Sequence, residues 1–211
     1  MNLNLAQVAR DTLGILDRGG YATLGGWVEI QLHPAVRGTR LVAPTDVVGS
    51  RGGRDPVITV ANITTLGAAR RVVGQGSRVL ALNFASATRP GGGFLSGAQA
   101  QEESLVRSSG LYACIKDSPF YEVHRGLRDP FYSHHVIYSP DVPVFRDDVG
   151  SLLDRPYPCS FLTCAAPNKG AILDHYPERL GQVDGVMRVL CLKWLSQIAL
   201  TRSAGRAFHQ S

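Results

Sequence analysis

A chain of 211 residues, 44% hydrophobic and 18% charged, suits one soluble domain with a sizeable core and excludes a disordered or fibrous protein. No stretch approaches the roughly 18 uninterrupted apolar residues of a membrane span, and Met1-Asn2-Leu3-Asn4-Leu5 lacks the basic flank and apolar run of a signal peptide. The net charge of +5, with a pI near 9.2, suits a polyanionic ligand. Scattered solvated charge explains it as well, because no Lys/Arg block of five or more occurs. Cytoplasm is the expected compartment, with no membrane partner.

In chain order, residues 4–17 form an expected amphipathic helix: Leu5, Val8, Ala9, Thr12, Leu13, Ile15 and Leu16 recur near helical spacing, and Arg18-Gly19-Gly20 ends it. Residues 19–55 are rich in Gly, Pro and polar turns, with strand-like pieces at 27–32 and 39–42. Residues 1–55 are therefore expected as an N-terminal extension packed on a main domain, 56–211. From Pro56 the texture alternates. Val57–Ala61 is β-branched and reads as a buried strand, 64–74 as a helix, and 78–84 as a second buried strand. A glycine-rich loop then leads to a helix expected over 97–115. Further strands are expected at 134–138 and 160–164, and a final helix at 183–200. Strands separated by helices predict an α/β fold with a parallel or mixed central sheet.

Four cysteines (Cys114, Cys159, Cys164, Cys191) offer no CxxC pair and no zinc-like spacing. Cys159 and Cys164 read as small core residues, and neither a disulfide nor a metal is expected. His134 and His135 fall at a strand, where neighbours face opposite ways, so they read as structural or surface residues. His33, His124 and His175 stand alone in loop-like surroundings. Phe120-Tyr121 and Phe131-Tyr132, with Arg125 and Arg128 between, could stack on nucleic acid, but closing a loop over the core or a ligand cleft is the plainer use. Direct nucleic-acid binding is not expected. Asp147-Asp148 reads as a solvated turn.

The informative stretch runs from Asn83 to Glu103. It starts at the carboxyl end of a buried strand, where open α/β sheets bind ligands. Gly91-Gly92-Gly93 permit positive φ and let backbone N–H groups approach an anion, and the start of the following helix adds further donors. This is neither GxxxxGK[ST] nor GxGxxG, and glycines alone are as consistent with a structural turn. Glu102-Glu103 follow. A partly desolvated carboxyl group can hold a proton near neutral pH, donate it to a leaving oxygen, and then take one from water; this cycle cleaves a glycosidic bond. On spacing alone, a solvated acidic pair in a helix's first turns is the favoured alternative.

Gly91-Gly92-Gly93, seven residues, then Gln101-Glu102-Glu103 resembles the signature of poly(ADP-ribose) glycohydrolases, and Val79 through Tyr112 is similar to the bacterial branch. The likeness extends to Arg18-Gly19-Gly20-Tyr21, Asn62-Ile63-Thr64-Thr65 and Ala165-Ala166-Pro167-Asn168. The resemblance implies a macrodomain, a three-layer α/β/α sandwich with a mixed sheet and ADP-ribose across its crest. Gly91, Gly92, Gly93 and Phe94 would line the ligand, with Asn83 and Gln101 facing ribose. Glu103 would be the acid/base and Glu102 would orient the substrate. Neither metal nor cofactor is implied. The partner would be poly(ADP-ribose) or an ADP-ribosylated protein, acted on by a monomer.

The family has a further strand and a second glycine-rich loop after the final helix, whereas residues 201–211 hold one glycine and no apolar run. The C-terminal part is therefore expected to be truncated. This leaves two other readings beside the glycohydrolase: an ADP-ribose-binding macrodomain with little or no catalysis, and a mono-ADP-ribosyl hydrolase.

Overall fold

The computed structural model describes residues 4–44 and 57–186. Helix α1 (Leu5–Arg18) opens the chain. The Asn4 side chain accepts from the Gln7 N–H, and Gly19, at φ 73°, closes the helix by donating to Ile15 O. A hairpin follows, β1 (Gly20–Thr23) against β2 (Gly26–Glu29). Helix α2 (Leu32–Gly38) was hidden in the sequence by Pro34, which sits in its first turn, where no N–H is needed. Strand β3 (Arg40–Val42) pairs antiparallel with β5 (Val136–Arg146). The strand-like piece expected at 39–42 is thus an edge of the main sheet.

That sheet runs β3-β5-β6-β4. Strand β6 (Leu152–Ala165) is antiparallel to β5 and parallel to β4 (Leu80–Ala85), which places Asn83 opposite Thr163. The sheet is mixed, and helices cover it. Alternation sorts the side chains of β4 and β6. Ala81, Ala85, Cys159 and Phe161 join the larger core with Phe94, Leu105, Leu111 and Phe120. Leu80, Leu82, Leu162 and Cys164 meet Val42, Val136 and Tyr138 on the other face. A third cluster, Ile15, Tyr21, Ile30 and Phe145, ties α1 and the hairpin to β5. Buried Arg146 of β5 reinforces it by pairing with Asp11 of α1.

Helix α3 (Thr65–Gly74) is capped by the Thr64 hydroxyl and matches expectation. Two other expectations fail. Val57–Ala61 forms no strand, and its side chains lie open, Val57 being 94% exposed. A β-branched run becomes a strand only when it is paired, and among the described residues Val57–Ala61 joins no sheet, while the Gln101 amide occupies Phe84 N–H and Leu82 O of β4. The single helix expected over 97–115 is instead a 3-10 turn (Phe94–Ser96), helix α4 (Gln101–Ser108) and helix α5 (Leu111–Ile115). The break has a cause: Gly110 N–H donates to Pro143 O, and the Ser109 hydroxyl donates to Leu105 O while accepting from Leu111 N–H.

Helix α6 (Phe120–Arg125) precedes β5, and α7 (Lys169–His175) follows β6. The expected final helix is helical at 183–186; its remainder, Cys191 and the tail to Ser211 lie outside the described residues. Cys159 and Cys164 are buried in the core as expected. Among the described residues, no helix is long and apolar enough to cross a membrane.

Candidate active site

The site is assembled where β4 hands over to the glycine loop and α4 returns across it. Asn83 lies on the Ala81/Ala85 face of β4, fully buried. Its Nδ2 donates to Thr163 Oγ1 at 3.1 Å, and its Oδ1 has no partner. Beyond β4 the loop doubles back through Gly91 (φ 71°) and Gly92 (φ 59°), values that glycine alone adopts without strain.

Both glutamates reach back from the first turn of α4 into this loop. Glu102 Oε2 accepts from Ser86 N–H at 2.7 Å and its Oε1 from Gly91 N–H at 3.1 Å. Glu103 Oε1 accepts from Gly93 N–H at 3.0 Å, while its Oε2 is buried without a partner. The residues are 3% and 8% exposed, so the solvated acidic pair is ruled out. Gly92 separates the two carboxylates: a Cβ there would run into Glu103 Oε1 and stand 3.1 Å from Glu102 Oε2.

Three further placements differ from expectation. The loop's N–H groups are not open to an anion, because two hold the carboxylates and Gly92 N–H donates to Arg89 O at 3.0 Å. The Phe94 ring is buried against Tyr112, with centroids 4.8 Å apart, leaving only its backbone toward the loop. Gln101 is engaged by the protein itself. Its Oε1 accepts from Phe84 N–H at 2.8 Å and its Nε2 donates to Leu82 O at 2.8 Å, so its amide is occupied by the outer edge of β4.

Sequence reasoning missed Ser86, which acts through its backbone and so leaves no side-chain signal. It also misjudged His124, which is fully buried on α6. His124 Nδ1 lies 2.7 Å from Phe120 O and its Nε2 lies 2.9 Å from Ser133 Oγ. The i, i+4 spacing of Phe120 and His124 was the available signal. Ser133 Oγ also lies 2.8 Å from His135 Nδ1, so these residues lock the loop ahead of β5. Asp147 forms the expected turn, accepting from Val149 and Ser151 N–H.

Buried Arg107, one turn after Glu103, donates from Nη1 to Ala98 O at 2.6 Å; burial lowers its pKa and the Glu103 charge opposes that. On another flank of α4, a cavity of about 560 Å³ is lined by Ile63, Thr65, Gln101, Ser104, Arg107 and Asp148, among others, and does not include the glutamate pair.

Burial pushes the Glu102 carboxyl up to about 7, and the Glu103 charge adds to this. The N–H groups of Ser86 and Gly91 and the Asn83 amide pull it back only in part. The consequence for stability has a definite sign. Below the ordinary value of 4.5, folded and unfolded chains both hold the proton. Between there and about 7 only the unfolded chain releases it, so stability falls as pH rises. The loss is on the order of 3 kcal/mol, roughly 6–12 °C in Tm for a chain this size. Thermal melts from pH 4 to 8 should show this decline in the wild type. In Glu102→Gln the decline should be much reduced, and equal slopes in both proteins would contradict it.

The arrangement is a pair of buried carboxylates, one with an uncommitted oxygen, held against a glycine loop at the carboxyl end of a parallel-paired strand. The family model described as microbial-type PARG, catalytic domain, matches residues 9–147. The chain belongs to this family. Solved structures agree. The poly(ADP-ribose) glycohydrolase (PARG) of Thermomonospora curvata is 46% identical with a TM-score of 0.86, the match covering 93% of this chain and 76% of that one. Its complex with the inhibitor ADP-HPD gives 48% identity and a TM-score of 0.82, over 93% and 75%. The enzyme of Deinococcus radiodurans in complex with ADP-ribose gives 42% and 0.75, over 82% and 72%. The search of curated proteins gave no match. Membership of the PARG family makes the fold macrodomain-like, as the resemblance implied.

Proposed function

We propose that this chain is a poly(ADP-ribose) glycohydrolase, cleaving the ribose–ribose bond to release ADP-ribose with Glu103 as acid/base. The observation that carries the reading is Glu103 Oε2, a buried carboxylate oxygen with no partner, beside a glycine loop in a chain of the PARG family. A carboxylate committed on one oxygen is oriented, and its other oxygen is available for proton transfer.

The Glu102 carboxyl, its pKa raised by burial to about 7, holds a proton near neutral pH. An anionic diphosphate arriving nearby raises the carboxyl affinity for that proton further. Protonated Glu103 would donate to the leaving ribose oxygen as the oxocarbenium-like cation forms. The resulting carboxylate would then deprotonate the attacking water. Glu102, fixed by two backbone N–H groups, keeps the loop and α4 in register and orients the terminal ribose. Asn83 Oδ1 accepts from a sugar hydroxyl, and the missing Cβ of Gly92 leaves the space in which the two carboxylates sit beside the loop. Gln101 acts one step back, by fixing the start of α4 to β4.

The test is ADP-ribose calorimetry beside a polymer-cleavage assay on the wild-type protein. Binding together with release of ADP-ribose supports the proposal. Binding without cleavage would make this a reader of ADP-ribose, and release only from mono-modified protein would make it a different hydrolase. A folded protein that does neither would overturn the assignment.

A further inference from the structure

We infer that the hydroxyl of Tyr121 is a substrate contact, reserved for the terminal ribose; this rests on the ADP-ribose reading above. The residue is 1% exposed, and its hydroxyl has no hydrogen-bond partner in the folded protein. Buried polar groups are nearly always bonded, so an orphan at a site calls for a missing partner. Asn83 Oδ1 and Glu103 Oε2 are likewise buried and unpartnered, and the phenol lies near enough to the carboxylate pair to feel the Glu102 charge.

The position of α6 brings Tyr121 to the site. Tyr121 and Arg125 are four residues apart, on one face of the helix. Arg125 Nε donates to Thr88 O at 3.4 Å, so that face abuts the loop whose Ser86 N–H holds Glu102. The ring is fixed edge-on against Phe120, with centroids 5.1 Å apart, and Phe120 in turn lies 4.2 Å from the His124 ring. His124 is held at both nitrogens. The phenol is therefore held in place before any ligand arrives. Burial, then the charge of Glu102, then Tyr112 push its pKa far above the ordinary range, so it stays protonated.

The chemistry of the three atoms selects the ligand group. Asn83 Oδ1 only accepts, and the phenol both donates and accepts. A phosphate oxygen, itself only an acceptor, would leave Asn83 unmet. Sugar hydroxyls supply donors and acceptors at once.

The test is Tyr121→Phe, measured by calorimetry with ADP-ribose and with ADP, which lacks the terminal ribose. ADP-ribose affinity should fall about tenfold while ADP affinity stays within twofold. In polymer cleavage KM should rise with kcat nearly unchanged, the pattern of lost ground-state binding. The free protein should melt at the same temperature or higher, because an orphan hydroxyl has been removed from the interior. ADP-ribose affinity within twofold of wild type, or an equal loss for ADP, would overturn the inference and leave the parent reading standing. A wild-type protein that neither binds ADP-ribose nor cleaves polymer would remove both.

Discussion

Glu103→Gln is expected to lower polymer turnover by about a thousandfold, within the 10²–10⁴ range for losing a general acid/base, while changing ADP-ribose affinity less than about threefold. The amide oxygen can keep the bond from Gly93 N–H. The substitution removes only the ionisable oxygen, which carries no bond in the folded protein. Single-turnover cleavage and calorimetry on one preparation separate the two effects. Cleavage above a tenth of the wild-type rate would remove Glu103 from the proton-transfer role. Glu102→Gln should behave differently. Both Glu102 oxygens accept N–H groups, so an amide NH₂ must face one donor with another, and both the loop and ligand affinity should suffer.

Gly92→Ala is expected to lower cleavage and ADP-ribose affinity each by at least about a hundredfold. Left-handed backbone costs alanine roughly 1–2 kcal/mol, which alone is a modest loss. The new Cβ would also meet Glu103 Oε1 and crowd Glu102 Oε2, displacing both carboxylates. Gly76→Ala is the control: Gly76 has φ 76° with nothing within 4 Å of a built Cβ. It bears the backbone cost without the collision, so it should lose a few degrees in Tm and keep full activity. Equal activity losses in the two variants would mean that backbone strain, rather than carboxylate displacement, is responsible.

The local structure of the candidate-site segment was legible because its constraints are local. Glycines at positive φ and acids in a helix's first turn leave marks in adjacent residues, as does the amphipathic stripe of α1. What escaped depends on distant partners. Strand β5 runs to Arg146, far beyond the expected 134–138, because Ser139-Pro140-Asp141 interrupts its pattern. The sheet absorbs the interruption as a register shift, with Asp141 at φ 43°. Val57–Ala61 has the composition of a strand but no neighbour to pair with among the described residues. Gln101 matched its motif, yet its orientation is decided by Leu82 and Phe84, some 20 residues earlier, which no spacing rule could show.

Among the described residues β4 is an outer strand, and Gln101 gives it a stopper. One side-chain amide occupies the acceptor of Leu82 and the donor of Phe84, the pair of groups that an added strand would seize first. Any polypeptide zipping onto β4 must evict that amide, and the residue it dislodges lies two positions before Glu103. Edge recruitment and the placement of Glu103 are therefore mechanically opposed: the bond that a new strand on β4 would have to break is the one that steadies α4.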